Sequence, residues 1–132
     1  ELYDPSETHF SHLIISDPEF DERNDCFFDE QCLVLYHNGK ISIINGCAHR
    51  GIVNTIQSVL SEFPLPIQYV IGGFHTRHEN EEFITNLASK LNEFTIEKII
   101  TCHCTGVDQY FQLKQLSKTP IEYGFVGKSI LK

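Results

Sequence analysis

Three short apolar runs in the chain each end in a turn that carries glycine and histidine, and a helical pattern follows each turn. The runs are residues 41–44, 69–71 and 98–100, and the turns are residues 46–51, 72–75 and 101–106. In open α/β sheets the carboxyl ends of parallel strands meet at one edge, and ligands bind at that edge. The histidines of the three turns are therefore predicted to converge.

The order of the patterns predicts an α/β fold. Residues 32–36 and 40–44 are β-rich and are separated by His37-Asn38-Gly39, a strong hairpin signal. Helices are then predicted over residues 52–63, 83–94 and 107–114, alternating with strands over residues 67–71, 97–101 and 121–126. The order ββαβαβαβ predicts a mixed, mostly parallel sheet with helices on one face and an antiparallel hairpin at one side. Thr76 and Thr105 have the spacing of caps for the second and third helices.

The pattern of the first 30 residues and the net charge limit the domain organisation and the classes of partner that the chain can have. Residues 1–30 lack a sustained period and are predicted to be an irregular lead-in with one short strand near residues 13–16, while residues 31–132 form the ordered domain. Seven acidic residues within 17–30 supply much of the net charge of −8 and are predicted to form a solvated loop, the alternative being a role in metal attraction or partner docking. This charge argues against nucleic-acid and anionic-membrane partners.

The cysteines and the missing targeting signals favour a cytoplasmic protein. The chain has five cysteines, an odd number that does not suit a disulfide framework, so a reducing compartment fits best. No signal-peptide pattern is present, and no apolar run reaches the length of a membrane span. The chain contains no methionine, and we expect it to be part of a longer protein.

Thiol and imidazole groups are concentrated at the three turns. Cys47 and His49 lie in the first turn, His75 in the second and His103 in the third. Thiolate and neutral imidazole are preferred ligands of zinc and other divalent first-row metals. Because they leave equivalent strand ends, these residues are candidate metal ligands.

The cysteines on either side of His103 are predicted to have another role. In an extended segment Cys102 and Cys104 point together, away from His103, and we expect them to be packing residues. A thiol-redox function is disfavoured because Cys-x-Cys is not the Cys-x-x-Cys of thioredoxin-like motifs. His9, His12 and His37 are predicted to be surface residues.

Three motifs carry a resemblance to a known family. They are GCAHRGIVN at residues 46–54, IGGFH at residues 71–75 and CHCTG at residues 102–106. In this order they resemble the C-terminal half of metallo-β-lactamase-fold hydrolases. Within that superfamily they are most similar to the branch of dihydropterin-6-methyl-4-(ribofuranosyl)aminobenzene-phosphate synthase-like proteins.

The resemblance implies an αββα sandwich that binds one or two metal ions, typically zinc, between two sheets. His103 matches the late histidine ligand, and the turn of residues 46–49 stands where other members carry a bridging aspartate. Cys47 or His49 would replace that aspartate, and His49 is favoured. His75 would be a further ligand or would contact a substrate phosphate or carboxylate. The substrate-binding residues implied are His75, Gly72 and Gly73.

The main metal motif of the superfamily, His-x-His-x-Asp-His, does not occur in the chain. The expected function is thus that of a metal-dependent hydrolase acting on a small-molecule substrate, present as a C-terminal half. In such an enzyme the metal activates water for attack on an ester or phosphoester. Alone, the chain is expected to bind metal weakly and to turn over little. The alternative is a non-catalytic binding or assembly module that pairs with an N-terminal half or with itself.

Overall fold

A computed structural model describes residues 4–7, 14–17 and 20–130. A two-stranded sheet contains β1 (Ile14–Asp17) and β2 (Phe20–Asn24). A five-stranded sheet contains β3 (Cys32–His37), β4 (Lys40–Asn45), β5 (Ile67–Gly72), β6 (Ile96–Thr101) and β7 (Ile121–Tyr123). The helices are α1 (Ile52–Glu62), α2 (Glu81–Leu91) and α3 (Val107–Leu116), and single 3-10 turns cover Pro5–Glu7 and His103–Thr105.

The five-stranded sheet confirms the predicted topology. Its strands lie in the order β3-β4-β5-β6-β7, with β3 and β4 antiparallel and every later neighbour parallel. The hairpin turns through Asn38 and Gly39, which have φ of 49° and 76°. β7 is shorter than predicted and ends at Tyr123.

The helices cover one face of this sheet, because right-handed crossovers between neighbouring strands all pass on the same side. Ile43, Val70 and Ile99 pair in register across β4, β5 and β6, and each is 0% exposed. The helices contribute equally buried side chains to the same core: Ile56, Ile84 and Leu113. The apolar stripes at helical spacing are thus explained by burial against the sheet.

The opposite face of the sheet is partly open. Side chains alternate between the faces of a strand, so Leu33 and Leu35 of β3 point away from the core, and they are 56% and 47% exposed. Farther across this face, Ile71 and Ile100 line an apolar groove with Phe125 of the C-terminal segment. Large apolar side chains therefore remain in contact with solvent at the hairpin side of the sheet.

The lead-in is attached to the helical layer. β1 confirms the strand predicted near residues 13–16, and β2 pairs with it. The Asn54 side chain accepts the Asp4 N–H at 2.6 Å and donates to the Asp4 carbonyl at 2.8 Å, and the Asp4 carboxylate pairs with Lys90. His9 and His12 lie outside the described residues.

The predicted threonine caps are wrong. α2 begins after Asn80, whose side chain accepts the Phe83 N–H at 2.9 Å. α3 begins after Gly106 and has no side-chain cap. Thr76 and Thr105 are instead buried, with exposed fractions of 1% and 0%, and their hydroxyls make tertiary hydrogen bonds. No helix of the described residues is long and apolar enough to cross a membrane.

Candidate metal centre

The three strand-to-helix junctions lie side by side, as predicted. The sheet hydrogen bonding continues past the strand ends: the Gly73 N–H donates to the Gly46 carbonyl at 2.8 Å, and the Cys102 N–H donates to the Gly72 carbonyl at 3.1 Å. The second junction is thus bonded to both the first and the third.

Buried threonines fix the second junction to the third. The Thr105 hydroxyl accepts the Phe74 N–H at 2.9 Å, and the Thr76 hydroxyl donates to the Thr105 carbonyl at 2.9 Å. Thr101 contacts the Thr105 hydroxyl from the end of β6. These hydroxyls satisfy groups that would otherwise be buried without partners, a loss worth about 1–3 kcal/mol each. The turns are therefore held firmly in position.

Each junction also contains a non-glycine residue with positive φ. Ala48, His75 and His103 have φ of 52°, 52° and 26°. Residues other than glycine rarely adopt this conformation, and such strained positions are concentrated at functional sites. The strain at three adjacent turns points to a function that requires their particular geometry.

Cys47, His103 and Cys104 bring their donor atoms together at this edge. One donor atom from each lies within 4.8 Å of the other two. Cys47 Sγ is 3.0 Å from His103 Nε2, and Cys102 Sγ is 3.1 Å from the other ring nitrogen, Nδ1. The predicted meeting of Cys47 with His103 is thus present in the structure.

The expectation of an extended segment around His103 is wrong. The observed backbone changes the direction of the Cys104 side chain. Residues 103–105 form a 3-10 turn, which directs the Cys104 side chain toward Cys47. Cys104 Sγ accepts the His75 N–H at 3.3 Å and donates to the Cys47 carbonyl at 3.6 Å. Burial raises the pKa of the Cys104 thiol to about 12, so without a bound cation it is neutral at pH 7.

Gly73 is required by the close approach of these side chains. A Cβ at this position would lie 2.3 Å from Cys104 Sγ and 2.6 Å from His103 Cε1. Gly72, with φ of 146°, is similarly enclosed, because a Cβ there would lie 2.4 Å from the Asn45 carbonyl. The glycine pair therefore lets the first and third junctions close over the second.

His49 is held beside the cluster by Glu30. One carboxylate oxygen of Glu30 accepts the His49 N–H at 2.6 Å and lies 3.1 Å from His49 Nδ1, and the other accepts the Arg50 N–H at 2.9 Å. The His49 ring also stacks on Phe27, with 4.1 Å between centroids. A carboxylate only accepts hydrogen bonds, so Nδ1 carries the proton and Nε2 keeps its lone pair in the neutral ring.

The prediction of a solvated acidic loop is wrong for Glu30, whose side chain is only 17% exposed and is bonded to the first junction. The hairpin register contains the signal that locates it. Cys32 pairs with Asn45, so residue 30 continues opposite residue 47. A carboxylate two residues before β3 is thereby placed at the first junction.

Next to the donor cluster lies an open cavity of about 360 Å³, lined by His75, Arg77, His78, His103 and Cys104. The rings of His75 and His49 are tilted against each other at 4.5 Å. Among the residues that the structure describes, no carboxylate lines this cavity, although the chain as a whole has a net charge of −8. Its lining therefore suits an anionic group.

The donor cluster fits a divalent metal. Two sulfurs and one imidazole nitrogen are typical ligands of zinc, and three protein donors leave one tetrahedral position open. His49 is not in the group of described donor atoms within 4.8 Å of one another. Among the histidines predicted to be surface residues, His37 is exposed, but it is the last residue of β3 and does not lie in the hairpin turn.

Comparisons with known proteins agree with this geometry. No family model matches the chain. It is 31% identical over 103 residues to the 7,8-dihydropterin-6-methyl-4-(β-D-ribofuranosyl)-aminobenzene-5'-phosphate synthase of Methanocaldococcus jannaschii, covering 77% of the chain and 35% of that protein. It is 35% identical over 92 residues to an uncharacterized protein of the same organism, covering 67% of the chain and 32% of that protein. The chain thus spans about a third of the length of these curated relatives.

A solved structure shows the same fold. The crystal structure of Tm1679, a metal-dependent hydrolase of the β-lactamase superfamily, matches 87% of the chain and 44% of its own length, with a TM-score of 0.80 and 30% sequence identity. The chain therefore has the α/β fold of part of a β-lactamase-superfamily hydrolase and is similar to the metallo-β-lactamase superfamily. Its resemblance to the dihydropterin-6-methyl-4-(ribofuranosyl)aminobenzene-phosphate synthase-like branch is confirmed.

Proposed function

We propose that the chain is the C-terminal part of a metal-dependent hydrolase and that its junctions hold the metal. The observation that carries this proposal is the convergence of Cys47 and His103 donor atoms at 3.0 Å on the edge where an α/β sheet binds ligands. Zinc is the preferred candidate among divalent first-row ions because the donors are sulfur and nitrogen. When bound, such an ion supplies Lewis acidity and activates water as a nucleophile.

The chain's own residues hold and orient the donors. His103 presents Nε2 to the cluster while its Nδ1 faces Cys102. Glu30 fixes the ring of His49 so that its Nε2 is the nitrogen available to a metal. We propose His49 as the donor to a second ion, shared with the rest of the sandwich, because its ring lies 4.5 Å from that of His75, which lines the cavity together with His103 and Cys104.

The proposed substrate is a small molecule with a phosphate or carboxylate group. The cavity next to the donors is lined by His75, Arg77 and His78, and no acidic side chain of the described part of the chain lines it. Gly72 and Gly73, which the resemblance implies as substrate-binding residues, are not among its lining residues; Gly73 supports the lining because a Cβ there would meet Cys104 and His103. The overall negative charge and the small cavity disfavour nucleic acid and membrane as partners.

We further propose that the open sheet face is covered by the other half of the sandwich. The exposed side chains of Leu33 and Leu35 support this, as does the coverage of only 35% of the synthase relative. Without the metal ligands of that other half, the chain is expected to turn over little substrate.

A binding module that pairs with itself is the second candidate, and a concentration-dependent dimer in sedimentation would favour it. The odd number of cysteines in the chain, five, does not suit a disulfide framework and supports a reducing, cytoplasmic location.

Anion binding at the loaded site tests the proposal. Calorimetry with phenyl phosphate is expected to show binding by the zinc-loaded chain and none after chelation. Arg77→Gln should weaken that binding by about tenfold or more, as for loss of a hydrogen bond to a charged group. Lys118→Gln removes the same charge from an exposed position outside the cavity and should leave binding unchanged. Binding that does not depend on zinc would contradict the proposal.

A further inference from the structure

We propose that Cys104 is the third protein donor of the metal site, so that Cys47, His103 and Cys104 together bind one ion within this chain. The inference rests on the proposed function, which requires a metal at this edge, and adds a ligand that the sequence patterns assigned to packing. It defines a site with two sulfurs, one nitrogen and one open position.

Distances support three donors to one ion. Bonds of 2.0–2.3 Å in a tetrahedral zinc site separate neighbouring donors by about 3.6–3.8 Å. The three donor atoms lie within 4.8 Å of one another, and the Cys47–His103 pair is at 3.0 Å. Small side-chain rotations suffice to reach the tetrahedral spacing, because the cysteines turn about a single bond.

The partners of each donor suit a ligand. The His75 N–H that donates to Cys104 Sγ at 3.3 Å favours the thiolate form. His103 Nδ1 faces Cys102 Sγ at 3.1 Å, which leaves Nε2 directed to the cluster. Metal ligands usually have such outer partners, which orient them. Cys102 thus has a different position from Cys104, on the far side of the imidazole ring.

The backbone is also adapted to Cys104. Gly73 has no side chain at the point where a Cβ would lie 2.3 Å from Cys104 Sγ. The positive φ of His103 and the 3-10 turn bring His103 and Cys104 to the same side, which an extended segment would not do. Strain and close packing are both present where the two side chains meet.

Binding by two thiols converts both to thiolates, and the two protons are released to solvent as two metal–sulfur bonds form. Three donors in one chain also change the expectation for the isolated chain. Two donors predict weak binding, whereas three donors and an open position are the usual set of a catalytic zinc site. Soft sulfur ligands should select zinc and cobalt over magnesium and manganese.

Cobalt titration under anaerobic, reducing conditions tests the role of Cys104. Wild type should bind one Co²⁺ with visible bands of a tetrahedral site and near-ultraviolet sulfur-to-cobalt absorption from two thiolates. Cys104→Ser keeps an acceptor for the His75 N–H. The Cys104→Ser variant should lose about half of the sulfur-to-cobalt absorption. Its cobalt affinity should fall by more than the roughly 10–100-fold expected for loss of a residue that only orients a metal ligand. Cys32→Ser is the matched control, because Cys32 lies in β3 outside the donor group, and it should keep the full absorption. Far-ultraviolet circular dichroism establishes that each variant is folded.

Zinc-edge X-ray absorption of the loaded wild-type chain gives a test without substitution. Two sulfur scatterers at about 2.3 Å are expected. One sulfur scatterer, together with wild-type cobalt spectra for Cys104→Ser, would overturn the role of Cys104 and leave the proposed function intact. Failure of the wild-type chain to bind either metal would overturn both.

Discussion

Gly73→Ala is the substitution that probes the packing of the site most directly. The added Cβ would lie 2.3 Å from Cys104 Sγ, whereas ordinary contacts begin at 3.4 Å. The sulfur must therefore retreat by about 1 Å, a displacement large enough to loosen a functional site. The atoms that must move are the donors themselves, at the ends of the Cys104 and His103 side chains.

The effect on metal binding should exceed the effect on folding. Overpacking of a filled interior lowers the free energy of unfolding by about 1–3 kcal/mol, and movable side-chain ends place Gly73→Ala toward the lower end of that range. Zinc affinity should fall by about 100-fold, the upper end of the range for disturbing a ligand's support. Urea unfolding of the metal-free chain and competition with a chromophoric chelator measure the two effects.

Gly46→Ala is the matched control at the neighbouring junction. A Cβ at Gly46 meets nothing within 4 Å, so this change should be neutral or should stabilise the fold by about 0.4–1 kcal/mol through the unfolded chain. Its zinc affinity should equal that of wild type. Equal affinities for Gly73→Ala and Gly46→Ala would refute the reasoning, because they would show that the donors do not depend on the space at Gly73.

Three further predictions concern groups around the site and on the surface. Glu30→Gln should lower the free energy of unfolding by about 1–3 kcal/mol, because an amide has one acceptor oxygen and cannot accept from both the His49 and the Arg50 N–H, whereas Asp29→Asn at the exposed neighbouring position should leave the unfolding curve unchanged. Thr105→Val should lower the free energy of unfolding by about 1–3 kcal/mol, because it leaves the buried Phe74 N–H without its acceptor. Thr105→Ser keeps a hydroxyl and should have most of the wild-type stability. Equal unfolding curves for Thr105→Val and wild type would contradict the role of the hydroxyl. Hydrogen bonds from Lys128 and Lys98 lower the pKa of Glu122 to about 2. The pKa of a glutamate is about 4.3 in the unfolded chain, so the lower pKa of Glu122 in the folded chain stabilises the protein at pH values above 4.3. This contribution is lost as the pH falls toward 2. Carboxyl-carbon NMR should detect a Glu122 midpoint near 2 that shifts upward in Lys128→Ala.

The overall architecture follows from local patterns that the sequence displays openly. The Asn38-Gly39 turn requires positive φ and so predicts the hairpin, and the apolar stripes predict which helix faces are buried. The convergence of Cys47 and His103 is predictable because parallel strands end at one edge. These features depend on backbone geometry and simple periodicity.

The details that depend on tertiary hydrogen bonds were not predictable in this way. Thr76 has the spacing of a helix cap, but its hydroxyl donates to the buried Thr105 carbonyl of the third junction. Cys104 follows a residue with positive φ, so the alternation of an extended segment does not apply to it. Glu30 resembles its acidic neighbours in sequence and differs only in the partners that the fold brings to it. In each case a specific long-range contact overrides the local pattern.

The metal content of the purified chain tests the central claim most directly. Equilibrium zinc binding is measured under reducing conditions for wild type, His103→Ala and His37→Ala. His37 is the exposed last residue of β3, at the end of the hairpin opposite to the junctions, so His37→Ala removes an imidazole without changing the site. One zinc ion per chain in wild type and His37→Ala, and a loss of that binding in His103→Ala, is the predicted result. No stoichiometric zinc in wild type, or the same zinc content in all three proteins, would contradict a metal site at the three junctions.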